Sequence, residues 1–196
     1  MDENRKLLLS LLRIELGCDD AIEMSAKHSI SASRIFQLAK EQIVMGIVAD
    51  GIEKAVANGL KLDSIGFDQI SLLKFIGVRT KIETKNKQIN QALVEIYGKF
   101  QGKSLYPILL KGQVVALQYP KPMSRQSGDI DFFFVRDAGY RAINEVKAWD
   151  VKITHELFRD FAFVFNGVDV EIHPLLVHSR HSDTRIYARR FQKWCE

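Results

Sequence analysis

Gly128-Asp129-Ile130-Asp131 runs directly into Phe132-Phe133-Phe134-Val135, so two carboxylates spaced two residues apart open an apolar, strand-like stretch. Side chains alternate faces along a strand, which puts Asp129 and Asp131 on one face and Ile130 and Phe132 on the other. Two like charges side by side on a partly buried surface repel each other and call for a compensating cation. A hard divalent ion with oxygen ligands, Mg²⁺ or Mn²⁺, meets that need. Taken alone, the pair fits a solvated strand face equally well.

A second acidic strand lies downstream. Phe161-Ala162-Phe163-Val164-Phe165, then Asn166-Gly167, then Val168-Asp169-Val170-Glu171-Ile172-His173 reads as a hairpin with a type I′ turn. Alternation puts Asp169, Glu171 and His173 on one face, so either acid could be a third ligand. His173 could order such a site or simply end the strand before Pro174. Lys111 fits a phosphate contact or a solvated strand end, and Arg125 a phosphate contact or a surface role. His155 falls in a helix-like stretch and reads as structural.

The elements that would position these residues change character along the chain. Up to about Phe100 the apolar spacing is helical. Leu8, Leu11, Leu12 and Leu16 mark a first helix closed by Gly17. A second runs from Ser31 or Ser33 through Ala55 to Asn58-Gly59, a third covers Phe67 to Ile76, and a fourth covers Ile82 to Phe100. Beyond Gly102, Leu105 to Leu110 reads as a strand ending at Lys111-Gly112, and Gln113 to Gln118 as a short helix. A loop from Tyr119 to Ser127 leads to the Asp129–Val135 strand, and Ala138 to Trp149 reads as a helix. Thr184 to Trp194 reads as a basic helix with a solvated face. The expected fold class is α+β: a mixed β-sheet flanked by helices (residues 81–196), preceded by a helical N-terminal region (residues 1–80).

Bulk properties narrow the partners. A chain of 196 residues, 46% hydrophobic and 27% charged, can bury a real core. Its formal charge of +4 suits an anionic ligand such as a nucleotide but is too weak to argue for duplex nucleic acid. Cys18 and Cys195 are the only cysteines and lie far apart, so a disulfide framework is not expected and a reducing cytoplasm is the default. The N-terminus carries acidic residues where a signal peptide would be basic, and no apolar run approaches the roughly 20 residues of a membrane helix. A cytoplasmic protein with no membrane partner is the expectation.

Lys111-Gly112, Tyr119-Pro120-Lys121-Pro122, Arg125, Gly128-Asp129-Ile130-Asp131 and Glu171-Ile172-His173, in this order and spacing, resemble the nucleotidyltransferase superfamily. The nearer likeness is to a bacterial family of uncharacterised nucleotidyltransferases, over roughly Leu105 to Leu176. The resemblance implies a Mg²⁺-dependent (or Mn²⁺-dependent) enzyme that moves a nucleoside monophosphate from an NTP, ATP among them, to a hydroxyl acceptor. Two ions would be held by Asp129, Asp131 and Glu171. The family's Glu-x-His pattern favours Glu171 over Asp169 as third ligand, leaving Asp169 and His173 around it. Lys111, Gly112, Gln113, Arg125 and Gly128 would meet the nucleotide. Gly112 would allow close backbone approach to the triphosphate, and Arg125 would bind it with a forked donor set. Many superfamily members carry Gly or Ser where this chain has Gln113.

Two other readings use the same residues. A non-catalytic nucleotide-binding or antitoxin-like regulatory module would keep the fold without the chemistry. A metal-dependent glycosyltransferase also uses an Asp-x-Asp pair, but its strands and helices alternate ahead of that pair, where this chain has about a hundred mostly helical residues. The acceptor, the nucleobase and the oligomeric state have no signature in the sequence.

Overall fold

The computed structural model describes residues 2–18, 30–135, 137–157, 161–174 and 193. The expected basic helix over Thr184–Trp194 lies outside the described residues but for Lys193. The chain forms two compact units. One comprises residues 1–87 and 115–127, the other residues 88–114 and 128–196. Among the described residues, no helix is long and apolar enough to cross a membrane.

The first unit is helical. Helix α1 (Glu3–Glu15) starts on an Asp2 carboxylate that accepts from the Arg5 N–H, and buries Leu7, Leu8, Leu11 and Ile14. Helices α2 (Ala32–Glu41) and α3 (Met45–Ala57) replace the single helix expected from the apolar spacing. Ile43 adopts φ 58° between them, while the Val44 N–H reaches back to Ala39 C=O and the Ile43 N–H to Lys40 C=O. That is a helix-closing bond pattern usually built on Gly or Asn, so no breaker residue announced it. Helix α1 packs tightly on α3: a Cβ at Gly51 would lie 2.2 Å from the Leu11 carbonyl oxygen, so only glycine fits.

Helix α4 (Gln69–Gln101) is one 33-residue helix, about 50 Å long, where the sequence suggested two. Gly77, in the supposed break, costs a helix interior only about 1 kcal/mol, too little to end it. Phe75, Ile82, Ile89 and Ile96 are buried at seven-residue intervals, which keeps them on one stripe. Phe75 and Ile82 join the core of the first unit, and Ile89, Ile96 and Phe100 that of the second.

The second unit is built on a five-stranded sheet in the order β1-β2-β5-β4-β3. Its strands are β1 (Ile108–Leu109), β2 (Asp129–Phe133), β3 (Lys152–Glu156), β4 (Phe161–Phe165) and β5 (Val168–His173). Strand β5 runs parallel to β2 and antiparallel to β4, and β1 runs antiparallel to β2, so the sheet is mixed. The expected α+β class is borne out. Asn166 and Gly167 both have positive φ, as a type I′ turn requires. Two short helices, α5 (Gln113–Ala116) and α6 (Ala138–Lys147), fall where the sequence placed them.

Strand β3 was not expected. All five of its residues are exposed, so no apolar alternation marks it, and pairing with β4 makes it a strand. His155 accordingly lies on an exposed edge strand rather than in a helix. Across β2, β5 and β4 one sheet face is apolar: Ile130 and Phe132 of β2, Val168, Val170 and Ile172 of β5, and Phe161, Phe163 and Phe165 of β4 enter one core. Phe100 of α4 meets Phe132 and Phe134 edge-on, with ring centres 6.0 and 5.0 Å apart. Each buried ring of this kind contributes about 1.5–3 kcal/mol through the area it removes from water.

Two substitutions test the first unit. Gly51→Ala should cost about 1–3 kcal/mol through forced separation of α1 and α3, seen as a lower urea midpoint at unchanged m-value. Glu15 is buried, and burial first, then the Asp50 charge, pushes its carboxyl above the usual 4.5. The folded state therefore holds that proton more tightly than the unfolded chain, and stability falls as pH rises through the window above 4.5. Glu15→Gln, which mimics the neutral form, should raise the melting temperature at pH 7. The gain should shrink as pH is lowered toward 4.5.

Candidate metal and phosphate site

The face of the sheet opposite the apolar core carries the acids. In the parallel ladder Asp129 stands beside Asp169, Asp131 beside Glu171, and Phe133 beside His173. Partners in such a ladder share a face and lie roughly 4.8 Å apart, so four carboxylates form a two-by-two patch. Like charges directly opposite each other destabilise a sheet. The apolar alternation forces the arrangement: with Ile130, Phe132, Val170 and Ile172 committed to the core, the acids have only the other face.

Asp131 sits deepest, with a side chain that has no exposed surface. His173 Nε2 lies 3.0 Å from Asp131 Oδ1 and 3.4 Å from Glu171 Oε2. An ionised carboxylate only accepts, so Nε2–H is the donor to Asp131. Lys111 Nζ donates to the same Oδ1 from 3.1 Å and lies 3.7 Å from Asp129 Oδ2. Burial pushes the Asp131 carboxyl up, but the His173 and Lys111 hydrogen bonds outweigh it and hold the group below 3.8. Burial works on the Lys111 ammonium in the opposite sense and is outweighed by Asp131, Asp129 and Glu171, which keep it above 10.5.

The donor atoms of Asp131, Glu171 and His173 all lie within 4.8 Å of one another. With the His173 proton on Nδ1 and Nε2 open to a cation, separations of 3.0 and 3.4 Å would match the edges of a coordination shell with bonds of about 2.1 Å. Asp131 Oδ2 is buried and has no hydrogen-bond partner, and such an orphaned acceptor is costly unless something fills its lone pairs. These residues therefore fit a divalent cation. Two oxygens and one imidazole nitrogen suit Mn²⁺ at least as well as Mg²⁺, since nitrogen donors move preference away from the hardest ions.

The structure thus brings Asp131, Glu171 and His173 together and joins Asp129 to them through Lys111. Glu171 points to the side of Asp131, whereas Asp169 is exposed and outside the trio. His173 stands closer to the acids than sequence reasoning gave it credit for. The usable signal was its two-residue spacing from Glu171, but the histidine's reach to Asp131 depends on a ladder between distant segments.

Gly112 closes the turn after β1. Its φ of +65° and the 3.3 Å from a would-be Cβ to the Asp129 carbonyl oxygen both disfavour any side chain. The Leu110 N–H donates to the Asp131 carbonyl at 3.0 Å and pins the same turn to β2. Gln113 is the first residue of α5, and Gly128 immediately precedes β2, with open space where its side chain would be. Arg125 belongs to the helical unit. Its Nη1 donates to Ser127 Oγ at 2.9 Å, and its carbonyl accepts from the buried Asn86 amide at 2.8 Å.

Because the unfolded chain takes up a proton at Asp131 before the folded one does, stability is lost as pH falls through and below 3.8. Asp131→Asn should lose less stability than the native chain between about pH 5 and pH 2, as measured by urea unfolding at each pH.

Residues 28–196 match the family model described as uncharacterised nucleotidyltransferase. No curated protein and no solved structure matches the chain.

Proposed function

Since the chain belongs to the family of uncharacterised nucleotidyltransferases, we propose that it transfers a nucleoside monophosphate from an NTP to a hydroxyl acceptor at the acidic face of β2 and β5. The acceptor oxygen forms a bond to the α-phosphorus, the bridge to the β-phosphate breaks, pyrophosphate leaves, and the hydroxyl proton passes to solvent. The observation that carries this reading is the convergence of donor atoms of Asp131, Glu171 and His173 to within 4.8 Å of one another, on a buried carboxylate whose second oxygen, Oδ2, has no hydrogen-bond partner.

Asp131, Glu171 and His173 would hold one divalent cation, and Asp129 would help hold a second against the triphosphate. Bound there, the ions would supply charge neutralisation at the phosphates and a more acidic acceptor hydroxyl. Asp131 anchors the set because burial and two donors fix its carboxylate in one orientation. Glu171, with a side chain 39% exposed, faces the solvent side from which an acceptor would approach. Gly112 keeps the turn beside Asp129 narrow enough for phosphate oxygens to reach backbone N–H groups. Lys111 supplies a side-chain cation beside the acids, and Gln113 is a further phosphate donor in this reading.

The test is transfer of label from each of the four α-³²P NTPs, with Mg²⁺ and with Mn²⁺, by the native chain and by Asp131→Asn and Glu171→Gln. Loss of one carboxylate should lower transfer by about 10²-fold or more, the scale of a removed transition-state contact. Equal labelling by native and substituted chains would sink the proposal. Metal-dependent thermal stabilisation by an NTP without any transfer would instead mark a non-catalytic nucleotide-binding module.

A further inference from the structure

Lys111 occupies the position at which a cation is wanted. Its ammonium bridges Asp131 Oδ1 and Asp129 Oδ2, the two carboxylates whose mutual repulsion is worst relieved by solvent because one of them is fully buried. We propose that Lys111 is the resident counter-ion of the metal-free site, which a divalent ion must displace and which then moves onto the triphosphate, so that metal and nucleotide bind cooperatively. This rests on the nucleotidyltransferase reading above.

Three features of the residue support the exchange. First, the lysine backbone is held: it stands between Leu110, bonded to the Asp131 carbonyl, and Gly112, fixed in its left-handed conformation. The stem therefore starts from a fixed point beside the site. Second, the side chain is 58% exposed, which leaves open space around it, and a lysine ammonium is a compact charge on a flexible stem rather than a rigid fork. Third, an ammonium 3.1 Å from Asp131 Oδ1 cannot stay beside a divalent ion bound to that carboxylate, because charges of the same sign at such range repel by several kcal/mol even at intermediate dielectric.

The direction of coupling follows. With no nucleotide present, metal entry strips Lys111 of its partners and offers nothing in return, so the lysine weakens metal binding. A triphosphate beside Gly112 supplies new partners, and displacement becomes favourable. Such linkage is reciprocal: whatever the nucleotide does for the metal, the metal does for the nucleotide.

The experiment compares the native chain with Lys111→Met and Lys111→Arg. Mn²⁺ binding alone is read from loss of the free-ion EPR signal. Binding of the α,β-methylene NTP analogues at saturating Mn²⁺ is read by calorimetry. Lys111→Met should bind Mn²⁺ alone about tenfold tighter than the native chain yet bind the analogue about tenfold more weakly, within the usual span of coupling between ligands. Lys111→Arg, which keeps the charge, should stay weak toward Mn²⁺ alone. If Lys111→Met weakens the analogue and leaves Mn²⁺ affinity unchanged, the lysine is a plain phosphate contact and the exchange is wrong. Tightening by Arg as strong as by Met would overturn it too, because charge would not be the cause. Failure of native and substituted chains alike to take up Mn²⁺, with or without nucleotide, would remove the nucleotidyltransferase reading itself.

Discussion

The parallel pairing of β2 with β5 is the constraint on which the acidic site depends. From Asp129 to Phe132 and from Val168 to His173 apolar and polar residues alternate, and the apolar ones enter one core. Once Ile130 and Phe132 lie beside Val170 and Ile172, the register sets Asp131 directly beside Glu171. A slip by one residue would drive the acids into the core and the apolar side chains into water. Burial of the phenylalanines thus holds together carboxylates that would otherwise separate. The packing energy of one face offsets the electrostatic cost of the other.

That cost is met locally. Asp131 has two donors on a single oxygen, one from His173 on the neighbouring strand and one from Lys111 on the turn after β1. Removing either partner from a fully buried carboxylate leaves charge uncompensated, which is far more costly than losing a surface ion pair. The remaining oxygen is left open.

The helical unit meets a similar demand in another way. Asp50, also without exposed surface, is bonded by Arg79 at 2.7 Å and by Lys121 at 2.9 Å, and Arg79 is bonded in turn by Glu53. Lys121 begins the segment whose Met123 and Arg125 carbonyls accept from Asn86. Pro122 opens a short 3-10 turn there, a position its fixed φ suits. A buried ion network and one buried amide therefore give a fixed path to a stretch that composition alone marks as a loop.

Much of the sheet was legible because its signals are local. The Asn166-Gly167 turn, the alternation of β4 and β5, and the facing of Asp129 with Asp131 all follow from backbone geometry within a few residues. Helix boundaries were less so. The break at Ile43 has no glycine or proline to announce it, and Gly77 suggested a break that α4 does not make. Strand β3 was invisible, since an exposed edge carries no apolar period.

By itself, then, the sequence determined which side chains share a face of each strand, and hence that a cation would be wanted beside Asp129 and Asp131. Only the tertiary structure decided that Glu171 and His173 stand next to Asp131, that Asp169 stands beside Asp129 instead, and that Lys111 already answers the need for positive charge. The reason is physical: alternation is a property of one strand, whereas these contacts arise from a ladder between segments some forty residues apart and from a turn pinned to it. Their register is set by the apolar core as a whole.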